Sequence, residues 1–464
     1  MARGDGGQIG RDLTQGPVMP GLVAFAVPMI LTNLIQQLYG MVDLSVVGQF
    51  VGSVGTVGVS TGGEISDMIT PISTAFATGG QIYIAQLVGA KVFEKTREAI
   101  GTFVTMMLAM SLIAMVGTIL FATQILNALN CPQEAFTQAM AYMIITSIGM
   151  PFIFGYNCIC GILRGMGESK RPLIFIIIAA VVNIVLDIIM VAIFKWEAAG
   201  TAIATVLAQF ASFMASFIYL YKRREQLGIK FDRSFFTIKW EPCKIILQLG
   251  IPQAARSFLV RISLLWVNAN INSYGLTVAS INSVGNKLQK FLDVYSQGVS
   301  HAAAAMIGQN LGAKKHDRAK KVVWDTFYIS LGVAVLSTIA ALIIPKQLFR
   351  LFTIDSAVID GGVGYLKIMI AMFFLSALTN SFQAMITGCG AANLNFAVGI
   401  LDGVVCKIGL SLLFAGLLNM GSDGYFWAIS LSRALPGVIC VAYYYSGLWK
   451  NKILVKGTGT GRHG

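Results

Sequence analysis

Apolar residues fill this chain in long stretches separated by short polar connections, and their lengths decide what it can be. About 20 consecutive apolar residues, wound as a helix, cross a hydrocarbon core of about 30 Å. Six such stretches occupy roughly residues 18–44, 54–79, 98–122, 136–162, 171–194 and 198–221. Six more occupy 243–268, 276–303, 322–345, 358–388, 394–418 and 423–448. The pattern predicts an all-α integral membrane protein of twelve transmembrane helices. Polar residues inside the stretches fall into stripes. Counting back from Asp43 at 100° per residue, Tyr39, Gln36 and Thr32 share its face of the first helix. A polar stripe at that depth faces a cavity or another helix; alternatively Asp43 caps the segment near the interface.

Composition agrees with this reading, since 56% of the 464 residues are hydrophobic and 12% are charged. Residues 1–17, MARGDGGQIGRDLTQGP, are polar and Gly-rich and read as a disordered tail rather than a cleavable leader. The seven cysteines are scattered, mostly within apolar stretches, so neither a disulfide framework nor a metal site is indicated. The net charge of +13 would suggest nucleic acid until its distribution is considered. The two tails and alternate connections hold 23 basic residues, and the opposite connections hold three, Lys195, Lys346 and Arg350. That asymmetry predicts a multi-pass protein of the inner (plasma) membrane with both termini cytoplasmic. The charge then meets anionic lipid, and no nucleic-acid partner is expected.

The two halves repeat. AQLVGAK from Ala85 returns as GQNLGAK from Gly308, and the stretch from Tyr142 aligns with that from Tyr365 at the same offset of 223. Pro28 meets Pro252, one residue adrift. Each copy holds six predicted helices, so the copies insert the same way up, as two pseudo-symmetric lobes around a central cleft. The expected division is a tail (1–17), an N-lobe (18–221), a cytoplasmic linker (222–242), a C-lobe (243–448) and a second tail (449–464).

On the fifth helix Asn183 and Asp187 stand i,i+4 and share a face. An aspartate among Ile, Val and Leu is costly to bury charged unless it is neutralised or holds a cation. Thr201, Thr205, Gln209 and Ser212 make a stripe on the sixth helix. Carboxylate, amide and hydroxyl oxygens are hard donors that suit Na⁺, or a proton held between acids.

These features resemble the multidrug and toxic compound extrusion (MATE) family. The resemblance is carried by LYGMVDLSVVGQFVG in the first span, AQLVGAK and GQNLGAK, LRGMGESKRP after the fourth span, and GYFWAISLS with YYYSGLWKNK at the end. It implies a secondary active antiporter of two six-helix lobes, exporting drugs or toxic metabolites by alternating access in exchange for Na⁺ or H⁺. The branch it is most similar to, a prokaryotic one, carries a cation site in the N-lobe. Carried over, that site is Asp43, Asn157, Asn183, Asp187 and Thr205, with Na⁺ as a possible metal on Asp43, Asn183, Asp187 and Thr205. No cofactor beyond the coupling ion is implied.

Other positions depart from the family pattern. Glu64 and Asp67, i,i+3 on the second span, are candidates for an acidic wall of the cleft or for interface residues. In the C-lobe, Lys287, Lys290 and Gln297 cluster on one face of the eighth helix with Asp293 on its flank, and Arg261 lies on the seventh. With Gln36 and Tyr39 these are the candidate substrate contacts. Asp402 and Lys407, five apart on the eleventh helix, are expected to point to different sides. An alternative function with the same architecture is a flippase of lipid-linked oligosaccharide. An enzyme is not expected, because no nucleotide loop, HExxH or Ser/His/Asp arrangement occurs. The expected partners are small amphipathic molecules and membrane lipid, with the chain acting as a monomer.

Overall fold

The computed structural model describes residues 10–226, 229, 235–452, 454 and 455, with side chains throughout except at 41–45. No strand occurs among the described residues. The helices are α1 (Val18–Phe50), α2 (Gly52–Gly89), α3 (Phe93–Leu120), α4 (Ala122–Ala128), α5 (Gln133–Ile148), α6 (Met150–Gly165), α7 (Lys170–Asp187) and α8 (Glu197–Lys222). They continue as α9 (Trp240–Asn272), α10 (Leu276–Gly312), α11 (His316–Ile343), α12 (Pro345–Arg350), α13 (Ser356–Gly388), α14 (Ala392–Ile400), α15 (Lys407–Ser411), α16 (Ser422–Leu431) and α17 (Ala434–Ser446). Wider π-helical turns follow α7, α14 and α15, at Ile188–Ile193, Leu401–Cys406 and Leu412–Leu417.

Every predicted span coincides with a long helix or a broken pair. Eight are long and apolar enough to cross a membrane, and a ninth is made by α5 and α6, which meet at a 42° bend. The remaining three, α2, α9 and α10, have ample length at 38, 33 and 37 residues. Their apolar runs are interrupted by charges, Glu64 and Asp67, Arg256 and Arg261, and Lys287, Lys290 and Asp293. Large apolar side chains such as Ile113 on α3 and Leu336 on α11 point outward, as hydrocarbon solvent requires.

The chain forms two compact units, one of residues 1–12 and 31–250 and the other of 13–30 and 251–464. The sequence reading placed one boundary in the linker; packing instead reassigns the first half of α1. Leu22, Phe25 and Met29 are buried in the second unit's core with Met306, Phe382 and Trp449. Both α1 and α9 change unit within three residues of a proline, Pro28 and Pro252. Proline removes one ladder hydrogen bond, so helix there is the cheapest to redirect.

The described part of the N-terminal segment is not a loose tail. In the second unit Leu13 is buried, its N–H donates to Gln309 Oε1 (3.0 Å), and Asn310 donates to its carbonyl (3.1 Å). Lys315 donates to Thr14 O (2.9 Å) and Arg318 to Gly16 O (2.6 Å). Cationic donors at the start of α11 capture carbonyls that a polar, Gly-rich stretch leaves free, which composition alone does not reveal.

Within the first unit α2 packs on α3, α5 and α6, and α8 on α5, α6 and α7; within the second, α10 and α11 pack on α13, which also meets α16 and α17.

Candidate functional site

Three of the five predicted coupling residues, Asn183, Asp187 and Thr205, lie on α7 and α8 of the first unit. These helices run antiparallel: Met190 O lies beside Gly200, and the Phe175 and Tyr219 rings are 5.9 Å apart. That register sets Asp187 level with about residues 203–207 of α8 and Asn183 level with about 207–211. Asn183 and Asp187 are both fully buried, as expected of i,i+4 neighbours on an inward face. The face of α8 bearing Thr201, Thr205, Gln209 and Ser212 lies between its α7 side, marked by Tyr219, and its α5–α6 side, where Gln209 Oε1 abuts Gly149.

The oxygens here are conspicuous for what they lack. Asn183 Oδ1 and Nδ2, Thr201 Oγ1, Thr205 Oγ1, Gln209 Oε1 and Ser212 Oγ are buried with no hydrogen-bond partner among the described residues. A buried polar group without a partner costs about 1–3 kcal/mol, so a hydrogen-bonding or cationic ligand held here would be stabilised by these side chains. The donor set is oxygen-rich and hard, which fits an alkali cation or a proton with ordered water. The π-helical turn that begins directly after Asp187 is the kind of irregularity that gathers at functional sites. No group of three or more His, Cys, Asp or Glu side chains poised for a metal occurs among the described residues.

The other predicted coupling residues are placed as follows. Asn157 is half-buried on α6, and its amide donates to Ser73 Oγ on α2 at 3.0 Å. Asp43 lies on the α1 backbone, but its side chain is outside the described residues. Among the candidate substrate contacts, Gln36, Glu64 and Asp67 are exposed and Tyr39 is half-buried in the first unit. In the second unit Lys287, Lys290 and Gln297 are exposed on one face of α10, and Arg261 and Asp293 are half-buried. Lys287 is drawn toward the Phe352 ring, 5.7 Å from its centroid.

The second unit brings several of its charged residues together. Lys407 Nζ lies 3.7 Å from Asp402 Oδ1, with both side chains nearly inaccessible. Arg433 Nη2 lies 3.7 Å from Asp293 Oδ1, and Arg433 Nη1 donates to Ser376 Oγ (2.6 Å). The expectation that Asp402 and Lys407 diverge is therefore overturned. Five α-helical residues turn through about 500°, leaving the ends far apart on the wheel; a π-helical turn closes i to i+5 and brings them into line. The intervening turn, Leu401–Cys406, is π-helical. Arg433 occupies the break between α16 and α17, where its own carbonyl accepts from Thr379 Oγ1 (3.1 Å).

Two repeats of membrane-crossing helices, each with a buried polar interior, define a multi-pass membrane transporter. The chain belongs to the MatE family, whose model matches it twice, over residues 28–189 and 252–413. The two matches are displaced by the same interval as Pro28 and Pro252. It is similar to the probable multidrug resistance protein YpnP of Bacillus subtilis strain 168, at 25% identity over 95% of this chain and 97% of that protein. It is also similar to the multidrug export protein MepA of Staphylococcus aureus strain N315, at 23% identity over 93% of this chain and 94% of the relative. Among solved structures, a MATE protein in complex with MaD3S superposes with a TM-score of 0.87 at 19% identity, covering 95% of this chain and 98% of that one. An outward-facing multidrug resistance MATE family transporter gives the same score and identity, covering 96% and 98%.

Proposed function

We propose that this protein exports small amphipathic drugs or toxic metabolites in exchange for Na⁺ or H⁺, by alternating access of its two units. The observation that carries the coupling role is the row of buried, unpartnered oxygens on α7 and α8 beside Asp187. An entering cation would neutralise Asp187 and satisfy Asn183 and the α8 hydroxyls; its departure removes that charge and those contacts. That difference is the means by which one ion biases a two-state element. Asp43, Asn157 and Thr205 complete the proposed cation set. Gln36, Tyr39, Glu64 and Asp67 of the first unit, and Arg261, Lys287, Lys290, Asp293 and Gln297 of the second, are proposed to meet the cargo. Export of drugs in particular is supported by the names of the relatives, multidrug resistance and multidrug export proteins. The protein needs no cofactor beyond the ion, works as a monomer in the plasma membrane, and keeps both termini in the cytoplasm, as the 23-to-three distribution of basic residues supports.

The test is ethidium movement in proteoliposomes under separately imposed Na⁺ and pH gradients. Efflux driven by one gradient and dissipated by its ionophore is expected. Movement indifferent to both gradients would end the antiport reading.

A further inference from the structure

The charges within the second unit do not balance. The inward cluster holds three bases, Arg256, Lys407 and Arg433, and two acids, Asp293 and Asp402, and the contacts are specific. Asp402 is taken by Lys407 and by the Ser432 hydroxyl (3.1 Å), and Asp293 by Arg433. Arg256 is left with a neutral partner, the Gln383 amide oxygen, which in its hydrogen-bonding orientation accepts from Nη1 (2.9 Å) and Nη2 (3.1 Å). No carboxylate lies within ion-pair distance of it among the described residues. Gln383 is itself committed to Asn395 (2.7 Å), and Asn395 to Gln253 (2.7 Å), so the amides form a chain that fixes the guanidinium without neutralising it.

The backbone is shaped to put Arg256 there. Gly399 and Gly403, i,i+4 across the start of the π-helical turn, face α9. A Cβ on Gly399 would collide with the Arg256 stem, and one on Gly403 would lie 3.1 Å from Val260 Cα. Two glycines so spaced let helix backbones approach closely in a membrane. Here the approach lays an arginine stem across the helix that carries Asp402. Asp402 accordingly lies in the combined field of Arg256, Lys407 and Arg433.

The cluster is closed on one side and open on the other. The Asp402 and Lys407 side chains are 10% and 6% exposed, whereas those of Asp293 and Arg433 are 35% and 18% exposed. Asp293 and Ser376, both partners of Arg433, line a small cavity with Tyr295, Ser296 and Ser330. Arg256 is itself only partly buried.

We infer that this cluster is an anion-binding subsite, with Arg256 as the anchor for a carboxylate on the exported molecule. A guanidinium presents a planar fork that matches a carboxylate bidentately, and a surplus half-buried cation is stabilised by an anion that arrives with the cargo. Asp293 and Asp402 hold the other two bases at zero net charge, so one anion completes the site and a second is rejected. The inference rests on the exporter reading for the identity of the ligand as cargo, and it adds the chemical class.

The test uses the full purified chain, with norfloxacin and its methyl ester as a pair differing only in the carboxylate. Binding is measured without any ion gradient, so the outcome does not depend on transport. The parent is expected to bind the acid at least about ten-fold more tightly than the ester, the scale of one charge-assisted pair. Arg256→Gln should erase that preference, and Arg256→Lys should keep part of it. Because Arg256→Gln leaves two matched ion pairs, its melting temperature should not fall. Equal affinity for acid and ester in the parent would overturn the inference. So would a preference that survives Arg256→Gln, one that vanishes when chloride replaces gluconate, or a melting temperature that falls with Arg256→Gln as it does with Lys407→Met. Absence of gradient-driven ethidium efflux would count against the exporter reading alone.

Discussion

A Cβ on Gly165 in the first unit would lie 2.7 Å from Gln81 O; one on Gly388, 223 residues later, would lie 2.8 Å from Ala304 O. Asn157 bonds Ser73 in the first unit, and Asn380 bonds Ser296 in the second, again 223 residues on. The scaffold has thus been kept through the duplication down to single glycines and one amide–hydroxyl bond. The interiors have not. The positions of Asn183 and Asp187 are taken in the second unit by Lys407 and Ser411, at an offset of 224. Both Asp187 and Ser411 are followed directly by a π-helical turn. One interior offers hard oxygens without partners, and the other offers matched ion pairs with a surplus base. A packing contact constrains the residues that touch backbone, whereas a buried polar residue is constrained only by what it must bind, so the two diverge at different rates.

The comparison is broken most forcefully at Asp187. Asp187→Asn is expected to drop gradient-driven efflux to background, while Ser411→Ala at the matching position leaves more than half of it. Retained efflux in Asp187→Asn would remove the first unit as the coupling element. Next comes the ion pair. Lys407→Met strands Asp402 and should cost roughly 3–5 kcal/mol in SDS-titrated unfolding, with most of it returned in the Asp402→Asn, Lys407→Met double variant. Asn183→Ala, at the equivalent place, should cost under about 1 kcal/mol, since its amide surrenders no hydrogen bond. A cost as large as that of Lys407→Met would show that Asn183 is already satisfied.

The third prediction sharpens the shared part. Gly165→Ala and Gly388→Ala each press a methyl onto a carbonyl and should cost about 1–3 kcal/mol by the same assay, equally in both units. Unequal penalties would mean that the repeat is preserved in sequence but not in packing. The smallest effect is expected at the amide–hydroxyl bond. Asn157→Ala and Asn380→Ala should each lose about 1 kcal/mol of stability. If Asn157 also serves the coupling ion, only its variant should raise the ion concentration needed for half-maximal efflux.

Much of the fold was legible because a bilayer imposes a length on every apolar run, and the run need only be counted. The basic residues predict an orientation, and AQLVGAK against GQNLGAK revealed the duplication. In α7 the shared face was legible: Asn183 and Asp187 are both buried on it because that stretch is regular α-helix up to Asp187. The same arithmetic failed on Asp402 and Lys407, since no residue type announces a π-helical turn and one extra residue per turn rotates everything after it. Nothing in the sequence marks Arg256 as an anchor. Its Gly399-x-x-x-Gly403 counterpart was visible in GILDG, but which helix would lie against those glycines is a tertiary fact. The same holds for Leu22, Phe25 and Met29, whose apolar character was plain while the unit that buries them was not. Sequence by itself determined that the chain is built of membrane-length helices and that they come in two copies, because the first follows from local length and the second from the repeat. Which buried charges pair, and which arginine is left over, was decided only by tertiary packing, because an ion pair depends on helix phase and neighbour, and neither is written within a single segment.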